Sequence, residues 1–155
     1  MNKPLIVDSN FWVALFDQSD VHAQRAASIW EIIKSKNIDT MILDCIVNET
    51  FSAVARRFNK KGRQDEIKST FERMFLIFKP GVVQWIFTFT KDTYTEVIGL
   101  MEEHKGIFNF HDALIALFAK QQGLKYILSF DRHFDLFPWI KRISEPDHLK
   151  DALRS

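Results

Sequence analysis

Four acidic side chains stand where short apolar segments end or where helices begin. Asp8 and Asp131 follow two apolar runs, Asp112 lies in the first turn of a predicted helix, and Glu49 lies one turn into another. Two carboxylates about 4 Å apart repel by about 4 kcal/mol at an effective dielectric constant near 20, so a group of them shares protons or binds a cation. A set of oxygen ligands fits Mg²⁺ or Mn²⁺ better than zinc. Such a cation, with surplus carboxylates, is suited to hydrolysing a phosphodiester.

Each acid also has a simpler structural interpretation. Asp8 fits an ordinary turn residue, and Asp112 fits a partner of a helix N-terminal dipole. Glu49 fits an exposed residue on a helix, which is the usual place for glutamate. Taken one at a time, the acids do not decide between the two interpretations.

The elements around these acids predict an α/β fold. The predicted strands are residues 5–7, 41–43, 82–87, 126–128 and 142–144, and the predicted helices are residues 11–16, 21–36, 45–58, 65–78, 90–103 and 111–122. Brief, uniformly apolar strands separated by helices are typical of a parallel sheet that is covered on both faces. Ligands of such sheets bind beyond the carboxyl ends of the strands, where these acids stand.

Length and composition exclude several classes of protein. With 155 residues, the chain is expected to form a single domain over residues 1–155. Its 21 Lys and Arg against 20 Asp and Glu give a formal charge of +1, which excludes binding to DNA by bulk charge. A single cysteine, Cys45, excludes an internal disulfide framework and a cysteine-based zinc finger. No apolar run reaches a membrane span and the first residues lack a signal-peptide pattern, so a soluble cytoplasmic protein is expected.

Two surface features suggest partners. A local basic run is the main candidate for contact with RNA phosphates, although a solvated helix end explains it about equally well. The predicted RNA-binding residues are Arg56, Arg57, Lys60, Lys61 and Arg132. A surplus of phenylalanine on consecutive helices suggests an apolar contact surface, but packing between those helices explains much of it.

Four segments together resemble the motifs of the PIN domain family, and most closely those of VapC-type toxin ribonucleases. The segments are residues 7–16, 47–50, 110–116 and 127–135, in the family's order, within a resemblance that covers about residues 5–144. The resemblance implies a three-layer α/β/α sandwich with a short, mainly parallel sheet. It also implies a Mg²⁺- or Mn²⁺-dependent endoribonuclease, an antitoxin partner and a homodimer.

By position in these motifs, the resemblance implies specific roles for seven residues. The catalytic and metal-binding acids would be Asp8, Glu49, Asp112 and Asp131, and the supporting residues would be Asn10, Ser129 and Asp135. Two alternatives remain open at this stage. One is a PIN nuclease that processes RNA outside any toxin pair, and the other is a degenerate PIN domain that serves as a binding module.

Overall fold

A four-stranded parallel sheet forms the centre of the structure, a computed structural model that describes residues 3–154. The strands are β1 (Leu5–Val7), β2 (Thr40–Met41), β3 (Tyr126–Leu128) and β4 (Lys141–Ile143), in the spatial order β2-β1-β3-β4. Ile6 pairs with Met41 on one side and with Ile127 on the other. The two central strands therefore lie side by side, which brings the residues that follow Val7 and Leu128 to the same edge of the sheet.

Helices flank the sheet, as expected for a three-layer α/β/α sandwich. They are α1 (Ser9–Phe16), α2 (Ala23–Ser35), α3 (Asp44–Lys60), α4 (Ile67–Ile77), α5 (Phe87–Asp92), α6 (Tyr94–Glu103), α7 (Phe110–Gln122) and α8 (Pro146–Arg154). Short 3₁₀ turns occur at Gln64–Glu66 and Arg132–Leu136. No helix within residues 3–154 combines the length and the apolar character needed to cross a bilayer.

The predicted strand at residues 82–87 is wrong. Only Gln84 pairs there: its N–H donates to the Ile42 carbonyl at 2.8 Å, and its own carbonyl accepts from Asp44 N–H at 3.1 Å. The Asp44 carboxylate then accepts from Ile86 N–H at 3.3 Å, and α5 begins at the next residue. The predicted helix at residues 90–103 is correspondingly two helices, α5 and α6, separated at Thr93.

Most of the phenylalanine surplus packs inside the protein. Trp12 is fully buried and makes edge-to-face contacts with Trp30 and Phe78, both with ring centroids 5.1 Å apart. Phe51 on α3 meets Phe71 on α4 at 4.8 Å. The helix-packing interpretation therefore holds for most of this group. Phe75 and Phe87 are exceptions, because 57% and 66% of their surfaces are exposed.

Candidate metal centre

Asp8 is fixed at the junction between β1 and α1. It caps α1, and its Oδ1 accepts from Ser9 N–H at 2.7 Å, while only 3% of its surface is exposed. The extended backbone of the cap ends β1 and starts the helix at the next residue. Asp8, which was predicted from its position after a strand, is thus a buried carboxylate. Its Oδ1 caps α1, and its Oδ2 is left for other contacts at the edge of the sheet.

Two polar side chains hold that second oxygen. Asp8 Oδ2 accepts from Asn10 Nδ2 at 2.6 Å and from Ser129 Oγ at 2.7 Å. Asn10 Oδ1 in turn accepts from Phe130 N–H at 2.9 Å, and Ser129 Oγ accepts from Asp131 N–H at 3.0 Å. This network ties the start of α1 to the turn after β3, so the positions of Asp8 and Asp131 depend on each other.

Asp112 reaches the same region from the first turn of α7. Asn109 caps this helix: its side chain accepts from Asp112 N–H at 3.0 Å, and Asp112 Oδ2 accepts from Asn109 N–H at 3.1 Å. This reciprocal capping box fixes the carboxylate, which is 8% exposed. The helix-start interpretation of Asp112 is therefore correct for one of its oxygens, and the other oxygen is left for further contacts.

Asp131 and His133 complete a close group with Asp112. Ligand atoms of the three side chains all lie within 4.8 Å of one another. Asp131 caps the 3₁₀ turn that follows it, and its Oδ1 accepts from His133 N–H at 2.9 Å and lies 3.2 Å from His133 Nδ1. Sequence analysis did not assign a ligand role to His133. One sequence signal could have predicted this role. His133 lies two residues after an acid that follows a strand, and a tight turn there places the histidine ring near that acid.

Asp8 and Glu49 lie outside this 4.8 Å group but act on it electrostatically. Burial raises the pKa of Asp8 to about 7 against the opposing hydrogen bonds from Ser129 and Ser9, and the charges of Asp112 and Glu49 raise it further. Burial likewise raises the pKa of Asp112 to about 6, with the charges of Asp131 and Glu49 adding to it. The four acids therefore share one electrostatic environment, as the parallel sheet predicts.

The donor set fits a divalent cation. Among the described side chains of residues 3–153, no lysine or arginine forms an ion pair with Asp8, Glu49, Asp112 or Asp131. Burying carboxylates together without a compensating positive charge is costly, and a bound cation removes that cost. Carboxylate oxygens are the ligands that Mg²⁺ and Mn²⁺ prefer, so the residues present are suited to either ion.

Asp135, which was predicted to be a supporting residue of the site, forms an ion pair with Arg142. Its two oxygens accept from Arg142 Nε at 2.9 Å and Arg142 Nη2 at 2.8 Å. Arg142 also donates from Nη1 to the Ser129 carbonyl at 3.3 Å. Asp135 therefore holds β4 against the turn that carries Asp131, and its part in the site is indirect.

Cys45 and His111 are near the acids without belonging to their group. Burial raises the pKa of the Cys45 thiol to about 12, so the thiol stays protonated and is unsuited to nucleophilic chemistry. His111 is half-buried beside Asp112, next to a cavity of about 570 Å³ between α3, α5, α6 and α7. Aromatic rings of Phe87, Tyr94 and Phe110 line that cavity.

The larger cavity lies at the opposite edge of the sheet. It measures about 810 Å³, and its lining includes Lys3, Lys125 and Lys141, at or just before the amino ends of the strands. None of its lining residues is acidic. Size alone would direct attention there, but ligand-binding chemistry in a parallel sheet is expected at the carboxyl ends of the strands, where the acids converge.

The predicted RNA-binding residues divide into two sets. Arg57 is ion-paired with Asp20, and Lys61 Nζ contacts Ser19 Oγ at 2.5 Å and Asp17 Oδ2 at 3.3 Å. The other set is exposed and forms no ion pair within residues 3–154; it consists of Arg56, Lys60 and Arg132. The first set is therefore occupied by contacts within the chain and is not a solvated helix end, and the second remains free to contact an anion.

Comparisons with known proteins agree with this geometry. The chain is 25% identical over 133 residues to Ribonuclease VapC1 of Aquifex aeolicus, an alignment that covers 86% of this chain and 85% of the relative. The crystal structure of Mycobacterium tuberculosis VapC20, described as a sarcin-ricin loop cleaving toxin, is similar in fold, with a TM-score of 0.67 and 20% identity. That similarity covers 88% of this chain and 96% of the solved one. Residues 5–140 match the PIN domain, and the chain therefore belongs to the PIN domain family.

Proposed function

We propose that this protein is a Mg²⁺- or Mn²⁺-dependent endoribonuclease that hydrolyses RNA phosphodiester bonds. The observation that carries the proposal is the close approach of Asp112 and Asp131 at the carboxyl edge of the sheet, with Asp8 and Glu49 in electrostatic contact with Asp112 and no lysine or arginine partner. Membership of the PIN family and the relation to a ribonuclease named VapC1 support the same activity.

Each acid has a distinct part in this proposal. Asp112 and Asp131 present oxygens at the rim, and the buried Asp8 supplies a negative charge whose position Asn10 and Ser129 fix. Glu49 adds charge from α3. A divalent ion, when bound, supplies Lewis-acid neutralisation of phosphate charge and activation of water.

The exposed cations would position the RNA backbone. Arg56, Lys60 and Arg132 are exposed and able to contact phosphates, and Arg132 directly follows an acid of the centre. The aromatic cavity beside Asp112 offers surfaces on which unpaired bases could stack, because Phe87 and Tyr94 are 66% and 58% exposed. A single-stranded or looped segment of RNA could contact the exposed cations with its phosphates and the aromatic rings with its bases.

We further propose that the protein is the toxin of a toxin–antitoxin pair, is cytoplasmic and forms a homodimer. The relation to VapC proteins supports the pairing. Phe75 and Leu76 at the end of α4 are 57% and 69% exposed and offer an apolar surface to a partner. A buried, unpaired Cys45 suits a reducing compartment.

Cleavage of a tRNA pool tests the nuclease activity. We expect the wild type to cut with Mg²⁺ or Mn²⁺, to stop in EDTA, and to leave 5′-phosphate and 3′-hydroxyl ends, while Asp112→Asn is inactive. Cutting that survives both EDTA and Asp112→Asn would overturn the proposal. A wild type that neither cuts RNA nor binds a divalent ion would instead favour a PIN-type binding module.

An adjacent reading frame for a small inhibitory partner would separate a toxin from an RNA-processing nuclease.

A further inference from the structure

The metal centre contains a nitrogen donor that an all-carboxylate site lacks. His133 contributes a ring nitrogen to the group of ligand atoms that lie within 4.8 Å of one another, alongside Asp112 and Asp131. Its side chain is 47% exposed, so water and ions reach it from solvent. Imidazole nitrogen favours transition-metal ions, whereas carboxylates and water suit Mg²⁺ and Mn²⁺ alike.

The local structure places this ring rather than leaving it free. Asp131 caps the 3₁₀ turn and accepts from His133 N–H at 2.9 Å, which brings Nδ1 to 3.2 Å from the same carboxylate oxygen. Phe134, the next residue, is fully buried and anchors the turn in the core. Arg142, held by Asp135, fixes the turn from the other side through the Ser129 carbonyl.

The distances suit ligation after a small adjustment. Two cis ligand atoms bound to one octahedral ion at about 2.1 Å lie about 3.0 Å apart, close to the 3.2 Å between Asp131 Oδ1 and His133 Nδ1. All three ligand atoms lie within 4.8 Å of one another, so ligation to one ion requires side-chain shifts of up to about an ångström each. An exposed imidazole at the end of an anchored turn can rotate by that amount. A permanent hydrogen bond to Asp131 alone is the competing role for this ring.

We propose that His133 is a metal ligand together with Asp112 and Asp131, and that it makes the centre select a transition-metal ion such as Mn²⁺ over Mg²⁺. This inference rests on the proposed metal-dependent function. Unlike that proposed function, the inference assigns a nitrogen ligand to the metal ion and a preference among ions to that ligand. A carboxylate at position 133 would instead provide an oxygen ligand, which suits Mg²⁺ and Mn²⁺ alike.

The test measures metal binding rather than RNA cleavage. We expect calorimetry to give about tenfold tighter binding of Mn²⁺ than of Mg²⁺ to the wild type. His133→Ala should weaken Mn²⁺ binding about tenfold and Mg²⁺ binding much less. His133→Asp should keep a bound ion but lose the preference for Mn²⁺. His111→Ala, which changes a nearby histidine outside the ligand group, should leave both affinities unchanged.

A spectroscopic signature separates ligation from a hydrogen-bonding role. Pulsed electron paramagnetic resonance of the Mn²⁺-loaded protein should show coupling to a ¹⁴N nucleus, and His133→Ala should abolish that coupling. Bound Mn²⁺ without ¹⁴N coupling in the wild type would overturn the inference while leaving the nuclease proposal intact. A wild type that binds neither ion would overturn both. Equal losses of Mn²⁺ and Mg²⁺ affinity in His133→Ala would also contradict the selectivity.

Discussion

The two ends of α1 carry buried aspartates with opposite electrostatics. Asp8 at the start is 3% exposed and Asp17 just after the end is 0% exposed, yet burial raises the pKa of Asp8 to about 7. Burial acts in the same direction on Asp17, but hydrogen bonds from Ser19, Arg63 and Lys61 outweigh it and hold the pKa of Asp17 well below its usual range.

Both carboxylates are shielded from solvent, but Asp8 lies deeper beneath the surface than Asp17, and the two also differ in their partners. Asp17 Oδ1 accepts from Arg63 Nη1 at 2.7 Å and from Ser19 Oγ at 2.7 Å, so its charge is neutralised within the chain. Asp8 is surrounded by polar but uncharged donors and by other acids. A buried carboxylate with cationic partners stabilises the fold, whereas one without them is available for an external cation.

The largest expected effect separates the two residues by activity. Asp8→Asn should lower RNA cleavage at least about 10²-fold, because it removes a charge and one acceptor oxygen from the metal centre while nearly preserving the side-chain volume. Asp17→Asn should stay within about threefold of the wild type per folded molecule. Cleavage rates at 15 °C, with the folded fraction measured by circular dichroism, check both. Similar losses in the two variants would remove the distinction.

The free energy of unfolding should be lowered more by Asp17→Asn than by Asp8→Asn, which is the reverse of their order in activity. Asp17→Asn leaves Arg63 and Lys61 without their buried partner and should lower the free energy of unfolding by about 2–4 kcal/mol at pH 7, less than for a fully buried pair because both cations are partly exposed. Urea unfolding without added metal measures it. Glu66→Gln, which removes an exposed partner of the same Arg63, is the matched control and should lower the free energy of unfolding much less than Asp17→Asn.

The pH dependence of metal-free stability should differ in sign between the two sites. The folded pKa of Asp8 lies above its unfolded value near 4, so its favourable contribution is present below about pH 4 and lost as the pH rises through about 7. Asp17 contributes above its unfolded pKa, and this contribution is lost as the pH falls below about 4.

The effect of Asp8→Asn on the stability of the metal-free protein should therefore be more favourable at pH 8 than at pH 5, by roughly 1–3 kcal/mol. Thermal and urea unfolding at the two pH values, in the presence of EDTA, provide the comparison. A variant that is destabilised equally at both values would show that Asp8 is a structural acid like Asp17.

The smallest expected effect concerns the basic residues near each region. Arg56→Ala or Arg132→Ala should each reduce the slope of log affinity against log salt for RNA by about 1, since these side chains have no acidic partner among residues 3–154. Arg57→Ala should leave the slope nearly unchanged, because Asp20 already neutralises that charge. RNA binding in the inactive Asp112→Asn background measures the slopes without cleavage.

Sequence reasoning predicted the parts of the fold that depend on local pattern. The strands at β1 and β3 and the acids that follow them could be located because uniformly apolar triplets end at polar residues. The segment at residues 82–87 has the same apolar character, but Val82 and Trp85 are 57% and 52% exposed, and within this segment only Gln84 forms a β-bridge. A strand forms only where a neighbouring strand is available for pairing in the folded protein. The composition of residues 82–87 does not show whether such a neighbour exists.

The distinction between Asp8 and Asp17 was not predictable from sequence. Asp17 appears as a polar residue that ends a short helix, and its partners Lys61 and Arg63 lie more than 40 residues away. The same long-range pairing removed Arg57 and Lys61 from the freely exposed basic set. The placement of His133 with Asp112 likewise depends on two elements that meet only in the folded chain.

Calorimetric titration of the metal-free protein with Mn²⁺ at pH 7, repeated in two buffers of different ionisation enthalpy, tests the central claim most directly. Because the raised pKa values of Asp8 and Asp112 leave these carboxyls partly protonated, metal binding should release protons, roughly 0.5–1 per ion. Asp112→Asn should abolish binding and Asp17→Asn should retain it. Absence of saturable binding, or equal binding by Asp112→Asn, would contradict a metal centre built from these acids.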